Sequence, residues 1–270
     1  MSRPTEERNP RARMLSSLSS RRLLELMNDE DATVPAAVRQ ALPEIEHAVE
    51  VVVDALRAGG RLRYAGAGTS GRLGVLDASE APPTFGVEPE MVHGIIAGGD
   101  RALRRAIEGA EDDADAGRRE TREVVREGDV LVGISASGRA RYVLASLAAA
   151  KELHARAIGI TCDPASPLAA EAEFAIVLRV GPEILAGSSR LKAGTATKLA
   201  LNMISTAAMV KLGRTKGDLM VDMRPASAKL RERAIRIVRD EAGVDDEEAR
   251  RRLEATGWDV RAALQSTPRW

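Results

Sequence analysis

Three segments of the sequence combine glycine with hydroxyl side chains in a way that is typical of phosphate binding. They read GAGTSGR over residues 66–72, SASGR over residues 135–139 and GSSRLKAGT over residues 187–195. Glycine lets the backbone approach a ligand closely. Hydroxyl groups donate hydrogen bonds to anionic oxygens, and a helix start adds unpaired N–H groups and a partial positive charge. We therefore expect the three segments to bind a phosphorylated ligand.

The expected ligand-binding residues are glycines and hydroxyl residues of the three segments, with one lysine: Gly68, Thr69, Ser70, Ser135, Ser137, Gly138, Ser188, Ser189 and Lys192. In any single segment, a serine or threonine at a helix start more commonly serves only as a cap. The recurrence of the same composition in three segments favours ligand binding.

The first segment also has the spacing Gly66-x-Gly68-x-x-Gly71, which resembles the dinucleotide-binding fingerprint. That fingerprint needs an acidic residue at the end of the next strand, about 20 residues further on, to bind the ribose. The nearest candidate, Asp100, follows two glycines and lies beyond the expected strand. We therefore expect no nicotinamide cofactor.

Five short apolar runs predict the strands that position these segments: residues 62–65, 91–97, 130–134, 157–161 and 175–180. Most of them lack polar alternation, as expected for strands covered on both faces. The stretches between them are long enough for helical crossovers, so we predict an α/β fold with a doubly wound, mostly parallel sheet. Such sheets bind ligands at the carboxyl ends of their strands.

Helical periodicity begins before the sheet region. We expect residues 1–18 to form a mobile, arginine-rich arm. A first amphipathic helix starts at Ser19, and the acidic run at residues 28–31 interrupts it. A second helix is predicted over residues 35–57, where apolar residues recur at steps of three and four.

Helices are also predicted after the last strand. A long helix is expected over residues 188–212. The charged segment 226–270 is predicted to form a small, loosely UBA-like module of three helices. Residues 19–225 then make up the main domain.

The composition argues against several kinds of partner. The 270 residues include 40 basic and 40 acidic side chains, so the balanced charge gives no reason to expect nucleic acid or an anionic membrane. Cys162 is the only cysteine, which excludes an intrachain disulfide. Without a secretory signal or a long apolar run, we expect a cytoplasmic protein. No cysteine–histidine set has metal-ligand spacing, so we expect no metal.

Longer stretches resemble the signature segments of one family. They are GAGTSGRLGVLDASEAPPTFG (66–86), IIAGGDRALRRAIEGAEDDADAG (95–117), GSSRLKAGTATKLALNMIST (187–206), GDLMVDMRPASAKL (217–230) and NDEDATVPAAV (28–38). These stretches are similar to N-acetylmuramic acid 6-phosphate etherases, and the similarity covers nearly the whole chain. DASEAPPTFG and EGAEDD are the specific parts, because other sugar isomerase (SIS) domains share the Ser/Thr segments but not these two.

The resemblance implies an SIS fold and a carbon–oxygen lyase reaction. Such an enzyme cleaves the D-lactyl ether of N-acetylmuramic acid 6-phosphate, giving N-acetylglucosamine 6-phosphate and D-lactate, in peptidoglycan recycling and amino sugar catabolism. The resemblance implies a homodimer and no metal or redox cofactor. It also implies that Glu80 is the acid that protonates the lactyl oxygen and that Glu111 is the base at carbon 2; Glu108 and Asp112 lie close to Glu111 in sequence.

Two further features concern the details of the site. Pro82 and Pro83 predict that the preceding helix ends near Glu80 and holds its side chain at a helix terminus. Ala140 stands where the family usually has threonine after the second segment, so a hydroxyl that could bind the ligand or cap a helix is missing.

Two alternative functions remain open at this point. A non-catalytic SIS sugar-phosphate sensor would keep the phosphate segments and lose the paired acids. An aldose–ketose isomerase would use a base at carbon 2 but no acid directed at carbon 3. The retention of Glu80 and Glu111 favours the lyase, and of the three only the lyase releases lactate.

Overall fold

A computed structural model describes residues 4–265 of the chain. Its strands are β1 (Leu62–Gly66), β2 (Val92–Ile96), β3 (Val130–Ile134), β4 (Arg156–Thr161) and β5 (Phe174–Val177). Its helices are α1 (Ser20–Asp31), α2 (Val34–Gln40), α3 (Leu42–Arg57), α4 (Gly68–Phe85), α5 (Arg101–Arg104), α6 (Ala114–Val124), α7 (Arg141–Glu152), α8 (Pro167–Glu171), α9 (Lys192–Lys211), α10 (Ala228–Ala242), α11 (Asp246–Ala255) and α12 (Val260–Gln265). Within residues 4–265, no helix combines the length and the apolar character needed to cross a bilayer.

The five strands form one parallel sheet in the order β2-β1-β3-β4-β5. β1 and β3 are buried at every position, which explains why their sequences lack polar alternation. From β1 the chain crosses to β2 on one side and later enters β3 on the other, so the topological switch point lies between β1 and β3. The predicted doubly wound α/β class is confirmed, and the sheet is wholly rather than mostly parallel.

The N-terminal helices break at positions that differ from the prediction. The acidic run after Met27 does not end α1, which continues to Asp31, because Glu30 is turned inward and only 6% exposed. The second predicted helix is in fact two, α2 and α3, which meet at Ala41. Pro43 lies in the first turn of α3, where its missing N–H would have had no partner in any case.

The segment predicted as a mobile arm over residues 1–18 makes polar contacts in the part that the structure describes, residues 4–18. Asn9 is 6% exposed, and its amide donates to Oε2 of Glu30 at 2.8 Å. The carbonyl of Thr5, also buried, accepts a hydrogen bond from the N–H of Gly187 at 3.1 Å. Polar contacts therefore join this segment to residues that are distant in the sequence. The first three residues of the chain lie outside the described part.

The chain divides into two compact units. The first contains the chain up to Ala78 together with Glu90–Ala208, and therefore the whole sheet. The second contains Ser79–Pro89 and the chain from Met209 onward. This second unit is larger than the module predicted over residues 226–270, because it also includes Ser79–Pro89 and residues 209–225.

Helices α10, α11 and α12 of the second unit share a small apolar core: Val221, Met223, Ala234, Ile235, Ile237, Val238, Ala249, Leu253, Val260 and Ala263. Ser227 caps the start of α10, and Gly243, with φ of 63°, ends it in the left-handed conformation that favours glycine. Asp245 caps the start of α11. The last five residues of the predicted module lie outside the described residues.

Candidate functional site

β1 and β3 place the first two Gly/Ser/Thr segments side by side. The strands are paired so that Gly66 lies opposite Ile134, and each strand ends at that residue. The two segments therefore leave the same edge of the sheet at neighbouring positions. This edge is at the switch point, where open α/β sheets bind their ligands.

The first segment makes a tight turn from β1 into α4. A Cβ on Gly66 would lie 2.5 Å from the nitrogen of Gly71, so only glycine fits at this close approach. Thr69 and Ser70 are half-buried, and their hydroxyls form no hydrogen bond within residues 4–265. Because the first N–H groups of a helix have no intrahelical partner, the start of α4 offers both N–H and O–H donors to an anion.

The second segment is a turn that packs against the loop after β4. The N–H of Gly138 donates to the carbonyl of Ser135 at 2.8 Å, and Gly138 approaches Ser166 so closely that a side chain would clash. Ser135 is buried, yet its hydroxyl has no partner in the described part of the chain. The Ser137 hydroxyl accepts a long hydrogen bond, 3.4 Å, from the N–H of Arg139. Both hydroxyls therefore retain the capacity to donate to a ligand.

Arg139 and Ala140 lead from this turn into α7. Arg139 forms an ion pair with the buried Asp163 at 3.0 Å, which fastens the turn to the loop after β4. Ala140 is the N-cap residue of α7 and provides no side-chain hydrogen bond to the helix start. The hydroxyl that the family pattern would place here is therefore absent from a position where it could cap α7.

The third segment lies next to the first. A Cβ on Gly194, in the first turn of α9, would lie 3.5 Å from Cγ2 of Thr69. Ser188 and Ser189 are half-buried, and neither hydroxyl makes a hydrogen bond among the described residues. These two serines precede α9, whose first turn lies against Thr69 at the start of α4.

The start of α9 itself is occupied by a carboxylate. Glu183 is 1% exposed and accepts hydrogen bonds from the N–H groups of Lys192 and Ala193, both at 3.0 Å. Burial raises the pKa of Glu183, although these two N–H groups and the charge of Lys192 oppose the rise. The start of α9 therefore already holds an anion that the protein itself supplies, and phosphate binding at this helix start stays a prediction.

Lys192 is likewise bound within the protein. Its Nζ lies 2.7 Å from Oε2 of Glu30, and its side chain is 3% exposed. Burial tends to raise the pKa of Glu30, but Lys192, assisted by Asn9 and Arg11, lowers it overall. Lys192 as a phosphate ligand therefore stays a prediction, and in this structure a carboxylate from α1 neutralises its ammonium group in the interior.

A buried polar network on α4 is not evident from sequence patterns. Asp77 accepts hydrogen bonds from the Tyr64 hydroxyl at 2.8 Å, from Nδ2 of Asn202 at 2.7 Å and from the Ser205 hydroxyl at 3.1 Å. Burial, reinforced by the charge of Asp77, raises the pKa of Tyr64 well above its usual value, which keeps the phenol protonated as a donor. The network joins α4 to β1 and α9. In the sequence, the feature that points to this network is Asp77, the aspartate at the start of DASEAPPTFG.

Glu80 belongs to the second unit. Contrary to the prediction, Pro82 and Pro83 do not end the helix near it, since α4 continues to Phe85 and the N–H of Gly86 donates to the carbonyl of Pro82 at 2.9 Å. Proline has a φ compatible with a helix, and both prolines lie within the last four residues of α4. Glu80 is exposed, and its carboxylate has no ion pair or hydrogen bond within residues 4–265.

Glu111 belongs to the first unit, in the short 3-10 turn Ala110–Asp112. Gly109, with φ of 74°, directs the chain into this turn. The alanine that begins the turn packs against the same apolar cluster as Ala67 of the first segment. Glu111 is exposed and, in the part of the chain that the structure describes, has no ion pair or hydrogen bond; its neighbour Glu108 is exposed as well.

The histidines and the cysteine are dispersed. His47 stacks obliquely on Phe174, with 4.4 Å between ring centroids, and burial and then the charge of Arg63 lower the pKa of His93. Cys162 is buried, and burial raises the pKa of its thiol to about 12. Among residues 4–265, no group of three or more His, Cys, Asp or Glu side chains is placed to hold a metal ion.

Two family models match adjoining parts of the chain. The model described as the glucokinase regulatory protein N-terminal SIS domain matches residues 44–151, and the model described as the SIS domain matches residues 111–210. A phosphoheptose isomerase from Francisella tularensis superimposes with a TM-score of 0.52 at 18% identity, covering 71% of this chain and 98% of that one. A phosphoheptose isomerase from Neisseria gonorrhoeae gives 0.54 at 22% identity, covering 70% and 98%. These structures support the fold alone.

Curated relatives are similar over nearly the whole chain. The chain is 49% identical over 261 residues to N-acetylmuramic acid 6-phosphate etherase 1 of Bacillus licheniformis, covering 96% of this chain and 86% of that protein. It is 52% identical over 264 residues to the etherase of Brucella anthropi, covering 97% and 86%, and 51% identical over 261 residues to that of Yersinia pestis, covering 96% and 88%. With half of its residues identical over this coverage, the chain belongs to the family of N-acetylmuramic acid 6-phosphate etherases.

Proposed function

We propose that this protein is a carbon–oxygen lyase that cleaves the D-lactyl ether of N-acetylmuramic acid 6-phosphate. The products are N-acetylglucosamine 6-phosphate and D-lactate. The observation that carries the proposal is membership of the etherase family, and the segments DASEAPPTFG and EGAEDD that resemble this family contain Glu80 and Glu111. Glu80 and Glu111 are also exposed and form no ion pair within the described residues, so either carboxylate is available to a substrate.

The phosphate of the substrate binds at the start of α4 in this proposal. Thr69 and Ser70 offer hydroxyl donors there, and Ser135 offers another from the adjacent segment after β3. The expected contacts are completed by Ser137, Gly138, Ser188 and Ser189. Ser188 and Ser189 precede α9, whose first turn lies against Thr69. Hydroxyl and N–H donors at a helix start suit a phosphate dianion without a lysine.

The reaction needs one base and one acid. With the sugar ring open, carbon 1 is an aldehyde, which makes the proton on carbon 2 acidic. Glu111 removes that proton, the carbon 3–oxygen bond breaks, and Glu80 gives a proton to the departing lactate oxygen. Water then adds to carbon 3 of the unsaturated aldehyde while carbon 2 regains a proton. The sum is a redox-neutral hydrolysis of the ether, divided between two carboxyl groups.

The proposal also includes an oligomeric state and a cellular location. We propose a homodimer. The proposal is supported by exposed apolar side chains on α4 and α9 of the first unit, where Leu76 is 50% exposed and Met203 is 38% exposed. Met209, which belongs to the second unit, is buried. We also propose a cytoplasmic location, in keeping with a single, buried cysteine. A non-catalytic sugar-phosphate sensor is disfavoured, because such a protein has no need of Glu80 and Glu111.

The direct test is D-lactate release from N-acetylmuramic acid 6-phosphate by the purified protein. Glu80→Ala and Glu111→Ala should each lower the rate by about 100-fold or more, since each removes a proton-transfer group. Glu108→Ala is the matched control, because Glu108 is an exposed glutamate that shortly precedes Glu111 in the sequence, and it should keep the wild-type rate.

The outcomes separate the function from the assignment of residues. Lactate release by all variants would keep the lyase and reject the roles of Glu80 and Glu111. A loss in Glu108→Ala alone would move the base to that residue. Binding of the sugar phosphate by the wild type without any lactate would favour the sensor.

A further inference from the structure

The segment that carries Glu80 is held by close contacts inside the second unit. Gly86, with φ of 63°, lies directly against the carbonyl oxygen of Asp222, where any side chain at position 86 would clash. Two residues further on, Glu88 forms an ion pair with Arg224 at 2.6 Å. The segment 79–89 is therefore fastened to residues 222–224 through both its backbone and a side chain.

Asp222 is held in turn by the last helix. Nε of Arg261, on α12, donates to Oδ1 of Asp222 at 2.6 Å, and its Nη2 donates to the carbonyl of Gly213 at 2.6 Å. Arg214 approaches the same carboxylate at 3.7 Å. The side chain of Asp222 is 16% exposed and that of Arg261 is 40% exposed, so solvent screens this ion pair in part.

These residues line an open cleft of about 530 Å³ in the second unit, together with Trp258. Each of the three arginines that line the cleft is paired with a carboxylate: Arg214 and Arg261 with Asp222, and Arg224 with Glu88. The charges of the cleft are thus used to hold the chain together. These ion pairs favour a structural role for the three arginines over a role in binding an anion.

We propose that Asp222 and Arg261 are positioning residues for Glu80. The inference rests on the proposed function, in which Glu80 protonates the leaving oxygen. The contacts run from α12 through Arg261 and Asp222 to Gly86, which follows Glu80 closely in the same unit. A small displacement of a proton donor lowers the rate of the step it serves more than it lowers substrate affinity. The C-terminal helices would then contribute to catalysis by holding Glu80 in position.

The test compares two leaving groups in one set of variants. Arg261→Gln removes both contacts of the guanidinium and should lower kcat for lactate release about tenfold, with KM within about twofold. An analogue that carries chloride at carbon 3 in place of the lactyl ether needs no proton for its leaving group, so chloride release should be unaffected. Lys216→Gln breaks an exposed ion pair with Glu241 in the same unit and is the matched control for both reactions.

Two more variants keep the test decisive. Arg261→Lys retains a charge facing Asp222 and should recover part of the lost kcat. Asp222→Asn keeps the shape of the side chain, and it should show the same lactate-selective loss if Arg261→Gln does not fold. Wild-type kcat in folded Arg261→Gln or Asp222→Asn, or equal losses of lactate and chloride release, would overturn the positioning role. The wild type is measured first, so its failure to release lactate would refute the proposed function itself.

Discussion

Helices α4 and α9 begin next to one another in segments of similar composition, yet their starts are different. At α4 the hydroxyls of Thr69 and Ser70 have no partner among residues 4–265. At α9 the first N–H groups bind the buried carboxylate of Glu183, and the Lys192 ammonium binds Glu30. One helix start is open to an external anion and the other has an internal one.

This difference shows that glycine and hydroxyl residues at a helix start do not by themselves define an anion site. The partial positive charge of a helix start attracts whichever anion is available. At α9 that anion is part of the chain, so the helix start contributes to folding. At α4 it must come from outside, which is the condition for binding a substrate phosphate.

The largest effect is expected from Lys192→Met. This change leaves the Glu30 carboxylate buried without its ammonium partner, and the free energy of unfolding should fall by about 3 kcal/mol or more. Urea unfolding of the variant measures the loss. The double variant Glu30→Gln/Lys192→Met should recover much of it. If Lys192 bound the phosphate instead, the single variant would raise KM and leave the stability nearly unchanged.

A smaller effect is expected when the open start is given its own carboxylate. Ser70→Asp places a negative charge where the substrate phosphate is proposed to bind, and it should lower kcat/KM for lactate release about 100-fold, equivalent to about 2.7 kcal/mol. Its stability should not fall, because an acid near a helix start is favourable. Ser70→Ala is the control and should lose far less activity. Equal losses in both variants would show that the charge is irrelevant.

The smallest effect is expected in the pH dependence of the free energy of unfolding, to which Glu30 and Glu183 contribute in opposite directions. Because the native pKa of Glu30 is lowered, its contribution to stability is present above its unfolded pKa of about 4.3 and is lost as the pH falls through the native pKa. Because the native pKa of Glu183 is raised, its contribution is present below its unfolded pKa and is lost as the pH rises through the native pKa.

Unfolding measurements from about pH 3 to about pH 7 therefore give opposite trends in the two variants. The destabilisation caused by Glu30→Gln should grow with rising pH. That caused by Glu183→Gln should shrink. Parallel trends in the two variants would contradict the assignment of the two pKa directions.

The sheet is predictable from the sequence because its strands are buried on both faces and consist of short apolar runs. The prediction for Val130–Ile134 is correct to the residue. The neighbouring positions of the two segments after β1 and β3 are predictable as well, because parallel topology places the ends of neighbouring strands together.

Other features depend on contacts that local patterns do not encode. Lys192 and Glu30 are 162 residues apart in sequence, so no spacing rule links them. The continuation of α4 past Pro82 and Pro83 is not predicted, because proline is a common end signal for a helix although its φ is helical. The arginine-rich start of the chain has the composition of a mobile segment, and its partners, Glu30 and Gly187, lie in other elements.

The packing of that first segment has a consequence for the order in which the chain is made. Asn9 donates to the carbonyl of Pro182, 173 residues later, at 3.4 Å. During synthesis at about 5–20 residues per second, the segment around Asn9 is therefore made roughly nine to thirty-five seconds before this partner exists. Until then Glu30 also lacks Lys192. The sheet unit can complete its fold on the ribosome only after α9 has left the exit tunnel, so Asn9 and Glu30 are translated well before their native partners are available.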